Sequence, residues 1–297
     1  MARRYLPRDI RIKLCNDVVA LRRDGLTYGR IVEEVWRRYG IRISKSHISY
    51  WLRGMHSPCN GRRIPSLQLL RPSEELAYVI GVVLGDGYAY RRRRAIKGYR
   101  GITVGLKAKD KEFVEEFAKC LAKVLGREPI RIRREKSVEG YVAEARSQTL
   151  YELLKKPADL NKLKPYIEHC EECVAAFLRG FADSEGSVNK HGTISITNSD
   201  LGLLSYIRGL LQRFGIESTE PKLQHPQGRR FYNPRRRKYY TLKHDVYVLN
   251  IRASSSANFY KYINFTIQRK RQRLESHIRR LTPSPALTPS QIAITTI

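Results

Sequence analysis

Two short segments of the chain end in an acidic residue that glycine follows directly. Residues 79–87 read VIGVVLGDG and contain Asp86, and residues 178–186 read LRGFADSEG and contain Glu185. The apolar spacing predicts that each acid ends a helix, where the helix dipole is negative. Two carboxylates brought together there would repel each other, and a divalent cation would remove that repulsion. Paired oxygen ligands with open water positions suit Mg²⁺, with Mn²⁺ as a substitute, and such a site is suited to phosphodiester hydrolysis.

The two segments belong to a longer internal repeat. They align at an offset of 99, and residues 106–124 align with residues 196–214 at an offset of 90. The first half therefore has nine more residues after its motif, within an arginine-rich stretch. Each half is predicted to run helix, strand, strand, helix, strand, strand, helix, which indicates a mixed α+β class.

Small residues recur at a spacing of four in both motif helices. This spacing lets two helix backbones approach closely, so the two helices are predicted to pack together and to bring Asp86 and Glu185 side by side. The first helix should start at Ser73 and the second near Glu171. The small residues are Gly81, Gly85, Gly180 and Ser184.

The first block, residues 1–54, is predicted to form three short helices, with Thr27 and Ser44 as N-caps of the second and third. The third helix should turn Ile48, Trp51 and Leu52 inward. The pattern favours a helix-turn-helix whose last helix enters the major groove, over a generic three-helix bundle with a solvated face. The polar face of that helix carries the proposed DNA-contacting residues Lys45, Ser46, His47, Ser49, Tyr50 and Arg53.

The charge balance points to a polyanionic partner. The chain has 57 Lys and Arg against 28 Asp and Glu, a net charge of +29. Double-stranded DNA is the expected partner, and a membrane is not, since no run of roughly 18 apolar residues occurs. No signal peptide is apparent and the five cysteines are sparse, so we expect a protein of a reducing cytoplasm, associated with the nucleoid of a prokaryote or archaeon.

Composition also suggests domain limits. After the helix-turn-helix we expect a linker over residues 55–72, a first repeat over 73–168, a second repeat over 169–281 and a disordered tail over 282–297.

The paired motifs resemble the LAGLIDADG homing endonucleases in their single-chain, two-repeat form, close to the archaeal and intein-type members. The resemblance covers roughly residues 73–281. It implies a pseudo-two-fold fold whose two saddle-shaped antiparallel sheets lie in the DNA major groove, and a monomer that cuts both strands of a long target with Mg²⁺. Asp86 and Glu185 would then be the catalytic metal ligands. Leu84 and Glu185 depart from the usual motif, but Glu occurs at this place in active members.

The family resemblance also implies one basic or polar residue per half that assists the attacking water. Lys107, at the end of the second strand, is the choice in the first half, and Asn198 lies near the equivalent place in the second. Lys270 resembles a lysine that recurs in intein-type members, with a structural role as the alternative.

Three basic clusters fall where hairpins are expected, and they favour contact with phosphates and bases over a merely solvated surface. The interleaved tyrosines are expected to pack within strands. Because the two repeats differ by nine residues in the segment after the motif, the DNA target is predicted to be non-palindromic. The proposed contacts are Arg91, Arg92, Arg93, Arg94, Lys97, Arg100, Arg131, Arg133, Arg134, Arg229, Arg230, Arg235, Arg236, Arg237, Lys238 and Lys243.

Other interpretations of the sequence have less support or remain as alternatives. His169, Cys170 and Cys173 resemble half of a zinc site without a second half, so structural cysteines are expected. No phosphate-cradling glycine loop indicates an ATPase or kinase. A non-cleaving DNA-binding regulator or a group I intron RNA maturase, with intron RNA as a partner, is the alternative function. The termini, Met1-Ala2 and Thr296-Ile297, do not match an intein, so an intron-encoded protein is expected.

Overall fold

The computed structural model describes residues 8–55, 58, 70–91, 101–126, 129–135, 139–234 and 237–281. It groups the chain into two compact units, Met1–Cys173 and Val174–Ile297. The tail over 282–297 and most of the linker over 55–72 lie outside the described residues.

The three N-terminal helices form their own apolar core. They are α1 (Arg8–Arg23), α2 (Tyr28–Tyr39) and α3 (Lys45–Leu52). The hydroxyls of Thr27 and Ser44 accept hydrogen bonds from backbone amides in the first turns of α2 and α3, as the sequence predicts. Ile48 and Trp51 are buried in a core shared with α1 and α2, and Leu52 packs against its edge. That α3 reads DNA stays a prediction.

The rest of the first unit is a four-stranded antiparallel sheet with helices. The strand order is β1-β2-β4-β3, and α5 packs on β2 and β4 through buried side chains such as Phe113 and Phe117. The elements are α4 (Glu74–Leu84), β1 (Tyr88–Arg91), β2 (Ile102–Ala108), α5 (Lys111–Val124), β3 (Arg133–Glu135), β4 (Gly140–Ala145), α6 (Gln148–Leu154) and α7 (Leu160–Ile167).

The second unit repeats this arrangement. Its four-stranded antiparallel sheet has the order β5-β6-β10-β7, and α9 packs on β6 and β10. A separate two-stranded sheet, β8-β9, is inserted between β7 and β10. The elements are α8 (Glu171–Glu185), β5 (Gly186–Val188), β6 (Ile194–Asn198), α9 (Leu201–Gln212), β7 (Lys222–His225), β8 (Arg230–Asn233), β9 (Lys238–Thr241), β10 (Val246–Asn250), α10 (Ser256–Tyr262) and α11 (Gln268–Leu281).

The helix and strand order confirms the mixed α+β class and shows what the sequence pattern missed. Each half ends in two helices rather than one, and the second half has two extra strands. No helix among the described residues is long and apolar enough to cross a membrane.

Candidate active site and DNA interface

The first motif helix, α4, ends at Leu84, and the candidate acid Asp86 lies two residues beyond it. Ser73 is its N-cap, as predicted, and every residue from Leu76 to Leu84 is buried. The chain then turns sharply at Gly87, where an added Cβ would lie 2.8 Å from Val83 Cα, so only glycine fits without a shift. Asp86 is therefore held on an exposed turn between a buried helix and β1.

The second motif helix, α8, presents Glu185 in the same local setting. A Cβ on Gly186 would lie 2.4 Å from the carbonyl oxygen of Ala182. Ala182 and Val83 are equivalent at the offset of 99, so both acids are followed by a glycine pressed against the same position of its own helix. Glu185 is half-buried and is the last residue of α8.

A lysine ammonium binds the C-terminal carbonyls of each motif helix. Lys156 Nζ donates to the Gly85 carbonyl oxygen at 3.3 Å. Lys270 Nζ donates to the carbonyl oxygens of Ala182 and Asp183 at 3.2 and 2.6 Å. A cation at this end offsets the negative end of the helix dipole beside the acid. Lys270 is only 6% exposed, which favours the structural alternative for this residue.

The second motif contains another acid, Asp183, which the geometry separates from Glu185. Asp183 is 1% exposed, and its Oδ1 accepts hydrogen bonds from the backbone amides of Thr266 and Ile267 at 2.8 and 3.5 Å. Its carboxylate thus anchors the segment that leads into α11. Glu185, which is not sequestered in this way, is the acid that corresponds to Asp86.

One polar side chain lies just past the strand pair next to each acid. The β1–β2 pairing starts at Tyr88 opposite Gly105, and Lys107 lies two residues beyond Gly105 on β2. The β5–β6 pairing starts at Gly186 opposite Ile196, and Thr197 is the next residue on β6. Lys107 and Thr197 alternate with buried core residues and so lie on the outer faces of their sheets.

Asn198, the residue chosen from the sequence, lies one position beyond Thr197 and so points to the other face. Its Oδ1 accepts a hydrogen bond from the Asp200 amide at 2.9 Å, in the turn that starts α9. The offset of 90 that equates Asp110 with Asp200 also equates Lys107 with Thr197, so the alignment carried the signal for Thr197.

The outer face of the first sheet combines aromatic and charged groups. Glu144 accepts hydrogen bonds from Tyr88 Oη at 3.0 Å and from Arg133 Nη2 at 2.6 Å, and Lys107 pairs with Glu135 at 3.5 Å. Burial, with Glu144 as the second cause, raises the pKa of Tyr88. Neutral Tyr88 can therefore donate a hydrogen bond at any physiological pH.

The outer face of the second sheet is uncharged along its central strands. Ser195 and Thr197 on β6 face outward beside Val248 and Asn250 on β10. Ser195 Oγ donates to Asn250 Oδ1 at 2.7 Å. The two outer faces therefore offer different donors and acceptors.

Most of the predicted DNA contacts that the structure describes are surface residues. On α3, Ser49 is half-buried and the other five are exposed. Arg91 instead contacts α6, through Glu152 at 3.3 Å and the Tyr151 ring at 5.1 Å. Seven predicted contacts lie outside the described residues: Arg92, Arg93, Arg94, Lys97, Arg100, Arg235 and Arg236. The exposed ones outside the N-terminal helices are Arg131, Arg133, Arg134, Arg229, Arg230, Arg237, Lys238 and Lys243.

Each acid is the type of group that a hard divalent cation binds. Asp86 and Glu185 both carry carboxylate oxygens, the ligands that Mg²⁺ prefers. Within the described ranges no three His, Cys, Asp or Glu side chains form a group able to hold a metal. Water and phosphate oxygens would have to supply the other ligands of such a cation.

The cysteine pair that resembled half of a zinc site caps a helix instead. Cys170 Sγ accepts a hydrogen bond from the Cys173 backbone amide at 3.4 Å, so this pair is an N-terminal cap of α8.

Comparisons with known proteins agree with this architecture. A family model described as a LAGLIDADG-like domain matches residues 172–264. The uncharacterized protein MJ0398 of Methanocaldococcus jannaschii is 33% identical over 266 residues, which cover 89% of this chain and 92% of that protein. MJ0314 of the same organism is 34% identical over 158 residues, covering 50% of this chain and 57% of that protein.

A solved structure supports the same fold. The homing endonuclease I-DmoI in complex with DNA and Ca has a TM-score of 0.50 and 20% identity, over 69% of this chain and 98% of that one. Two motif helices with equivalent acids, two sheets of equivalent strand order and these matches agree: the chain belongs to the LAGLIDADG family of homing-endonuclease-type proteins.

Proposed function

We propose that this protein is a site-specific DNA endonuclease that makes a double-strand break in a long, non-palindromic target. The observation that carries the proposal is the equivalence of Asp86 and Glu185. Each lies at the C-terminal end of a motif helix or just beyond it, precedes a glycine whose added Cβ would clash with that helix, and lies beside carbonyls bound by a lysine. Helix packing alone gives no reason for an acid at either position, because a negative charge at a helix C-terminus is unfavourable and two such charges repel each other.

In this mechanism Asp86 and Glu185 would hold a divalent cation, with Mg²⁺ the expected ion. The cation would neutralise charge that develops on the scissile phosphate. Lys107 and Thr197, which face outward on β2 and β6 just past the first strand pair after each acid, would orient the attacking water by hydrogen bonding. Lys156 and Lys270 keep the helix ends in place, which fixes the direction in which each acid points.

The test uses a duplex that the full-length chain selects from a randomised duplex library. Asp86→Ala and Glu185→Ala should each lower the Mg²⁺-dependent cleavage rate roughly 10³-fold, the equivalent of several kcal/mol of charge stabilisation. Binding measured by mobility shift in EDTA should stay within a few-fold of wild type. Glu115→Ala, which removes an exposed carboxylate of α5, is the matched control and should cut like wild type.

Undiminished cleavage by both acid variants would refute the assignment of the site. Specific binding by the wild-type chain with no strand break in Mg²⁺ or Mn²⁺ would instead support the non-cleaving regulator or maturase. Insertion of the gene in an intron would agree with a homing role and would supply the joined flanks as a natural substrate.

A further inference from the structure

The second unit carries a free-standing β-ribbon, formed by β8 and β9. Its four residue pairs run from Arg230 opposite Thr241 to Asn233 opposite Lys238. Backbone hydrogen bonds close its base, where Gly228 N donates to Leu242 O at 3.0 Å and Leu242 N donates to Arg229 O at 2.9 Å. Arg237, in the turn, adopts a left-handed conformation with φ of 46°. The ribbon is thus a defined hairpin that extends the β7–β10 hairpin.

Each face of the ribbon has one cross-strand aromatic pair. Tyr232 and Tyr239 lie on one face with ring centroids 5.1 Å apart, and Phe231 and Tyr240 lie on the other at 5.8 Å. Arg230 lies over the Tyr239 ring at 5.3 Å. Because an isolated two-stranded hairpin is marginal in water, these pairs account for its stability.

The ribbon does not rest on the core of the second unit. Phe231 is 44% exposed, Tyr232 49% and Tyr239 61%, and all eight strand residues are polar or aromatic groups open to solvent at least in part. A stable hairpin that exposes aromatic side chains on both faces is typical of a surface that binds a partner.

Charge identifies that partner as a polyanion. Residues 229–243 contain seven Lys or Arg and no Asp or Glu. A two-stranded ribbon fits the DNA major groove, which is about 12 Å wide. Four residues per strand span about 14 Å at roughly 3.4 Å each, the length of about four base pairs.

The first unit has no room for an equivalent ribbon. Its strands β3 and β4 are joined by the four residues 136–139, whereas 20 residues, 226–245, join β7 to β10. Any contact that the ribbon makes would therefore fall on one side of the target only.

Resting on the proposed function, we propose that the β8–β9 ribbon is a second groove-reading arm that extends the duplex DNA site by about four base pairs beyond the reach of the second sheet. The aromatic pairs hold the ribbon rigid. Arg230 and Lys238 contact phosphates on its flanks, and the hydroxyls of Tyr232, Tyr239 and Thr241 meet base edges.

The experiment excises the ribbon at its hydrogen-bonded base. Residues 230–241 are replaced by Asn-Gly between Arg229 and Leu242, a sequence that forms a tight type I′ turn. Wild type and variant each select duplexes from a randomised library. The variant's consensus should be about four base pairs shorter at one end and unchanged at the other. A charge-matched control removes five exposed basic residues from helices and should keep the full length: Lys111, Lys119, Lys162, Lys261 and Arg279 to Ala.

A second variant guards against misfolding of the excised chain. Arg230→Ala with Lys238→Ala keeps the aromatic pairs, and it should lower the salt slope for a random 40-base-pair duplex by about 0.9 per lost phosphate contact. Equal consensus lengths, shortening at both ends or an unchanged slope would overturn the ribbon proposal while the endonuclease proposal stands. Selection of no duplex by the wild-type chain would refute the proposed function itself.

Discussion

At the scale of single residues, the two lysines at the motif helix ends differ in how much they stabilise. Lys270 is buried and its ammonium makes two bonds to carbonyls of α8, one of them 2.6 Å long. Lys156 is exposed and donates a hydrogen bond of 3.3 Å to the Gly85 carbonyl oxygen. A buried charged donor is worth more than an exposed one, because its removal leaves acceptors that water cannot reach.

Lys270→Met should therefore lower the free energy of unfolding by about 2 kcal/mol, and Lys156→Met by no more than about 0.5 kcal/mol. Urea denaturation of the full chain, followed by circular dichroism, gives the comparison. Equal midpoints for the two variants would contradict the structural role assigned to Lys270.

The sequence predicted the motif acids but not the residues that hold them. Asp86 and Glu185 stand in local patterns of nine residues, which the repeat makes visible. Asp183 and Thr266 are 83 positions apart, and Lys156 and Gly85 are 71 apart. Nothing in a local pattern indicates such partners, since the fold alone brings them together. Asn198 rather than Thr197 was chosen from the sequence because a shift of one residue, which moves a side chain to the other face of its strand, is hard to detect in an alignment of two short segments.

At the scale of helices and strands, the features that could be predicted from the sequence are those set by side chains close in sequence. Thr27, Ser44 and Ser73 are N-caps that act on their own first turns, and all three were predicted. A hairpin was expected at the basic cluster over residues 229–243, but the two additional strands β8 and β9 were not, because a strand with aromatic residues on both faces lacks the alternation of a half-buried strand. The final helices of each half were counted as one because short helices give weak patterns.

Helix α2 provides a test of electrostatics at this scale. Glu34 accepts hydrogen bonds from Arg37 at 2.6 and 2.9 Å and from Arg38 at 2.6 Å, and these bonds lower the pKa of Glu34 to about 2. A carboxyl with a lowered pKa stabilises the folded state above its ordinary pKa of 4.5, and that contribution is lost as the pH falls toward 2.

Glu34→Gln should thus have a lower thermal midpoint than wild type at pH 5, and the difference should shrink as the pH falls to 2.5. Glu33→Gln, whose carboxylate pairs with Arg30 at 3.4 Å on the exposed face, is the matched control. A difference that stays constant with pH would show that the two arginines do not act through the ionised form of Glu34.

At the scale of the whole molecule, the net charge of +29 is unevenly distributed among surfaces of different chemistry. On the first sheet, Arg133 and Lys107 are paired with Glu144 and Glu135, so its outer face is partly neutral. The second sheet offers hydroxyls and an amide, and the ribbon segment, residues 229–243, carries seven basic residues and no acidic one. A uniformly basic protein would coat DNA without preference, whereas two unlike sheet faces favour two unlike half-sites.

This difference leads to a prediction about target symmetry. Duplexes selected by the full-length chain should yield a non-palindromic consensus, because Tyr88, Lys107 and Arg133 cannot read the same bases as Ser195, Thr197 and Asn250. Two palindromes, each built from one half of the consensus, should bind at least about tenfold more weakly than the consensus duplex itself, since a mismatched base pair costs about 1–3 kcal/mol. Competition binding at fixed salt provides the measurement. Equal affinity for either palindrome would mean that the halves read DNA alike, and the unlike outer faces would then contribute nothing to specificity.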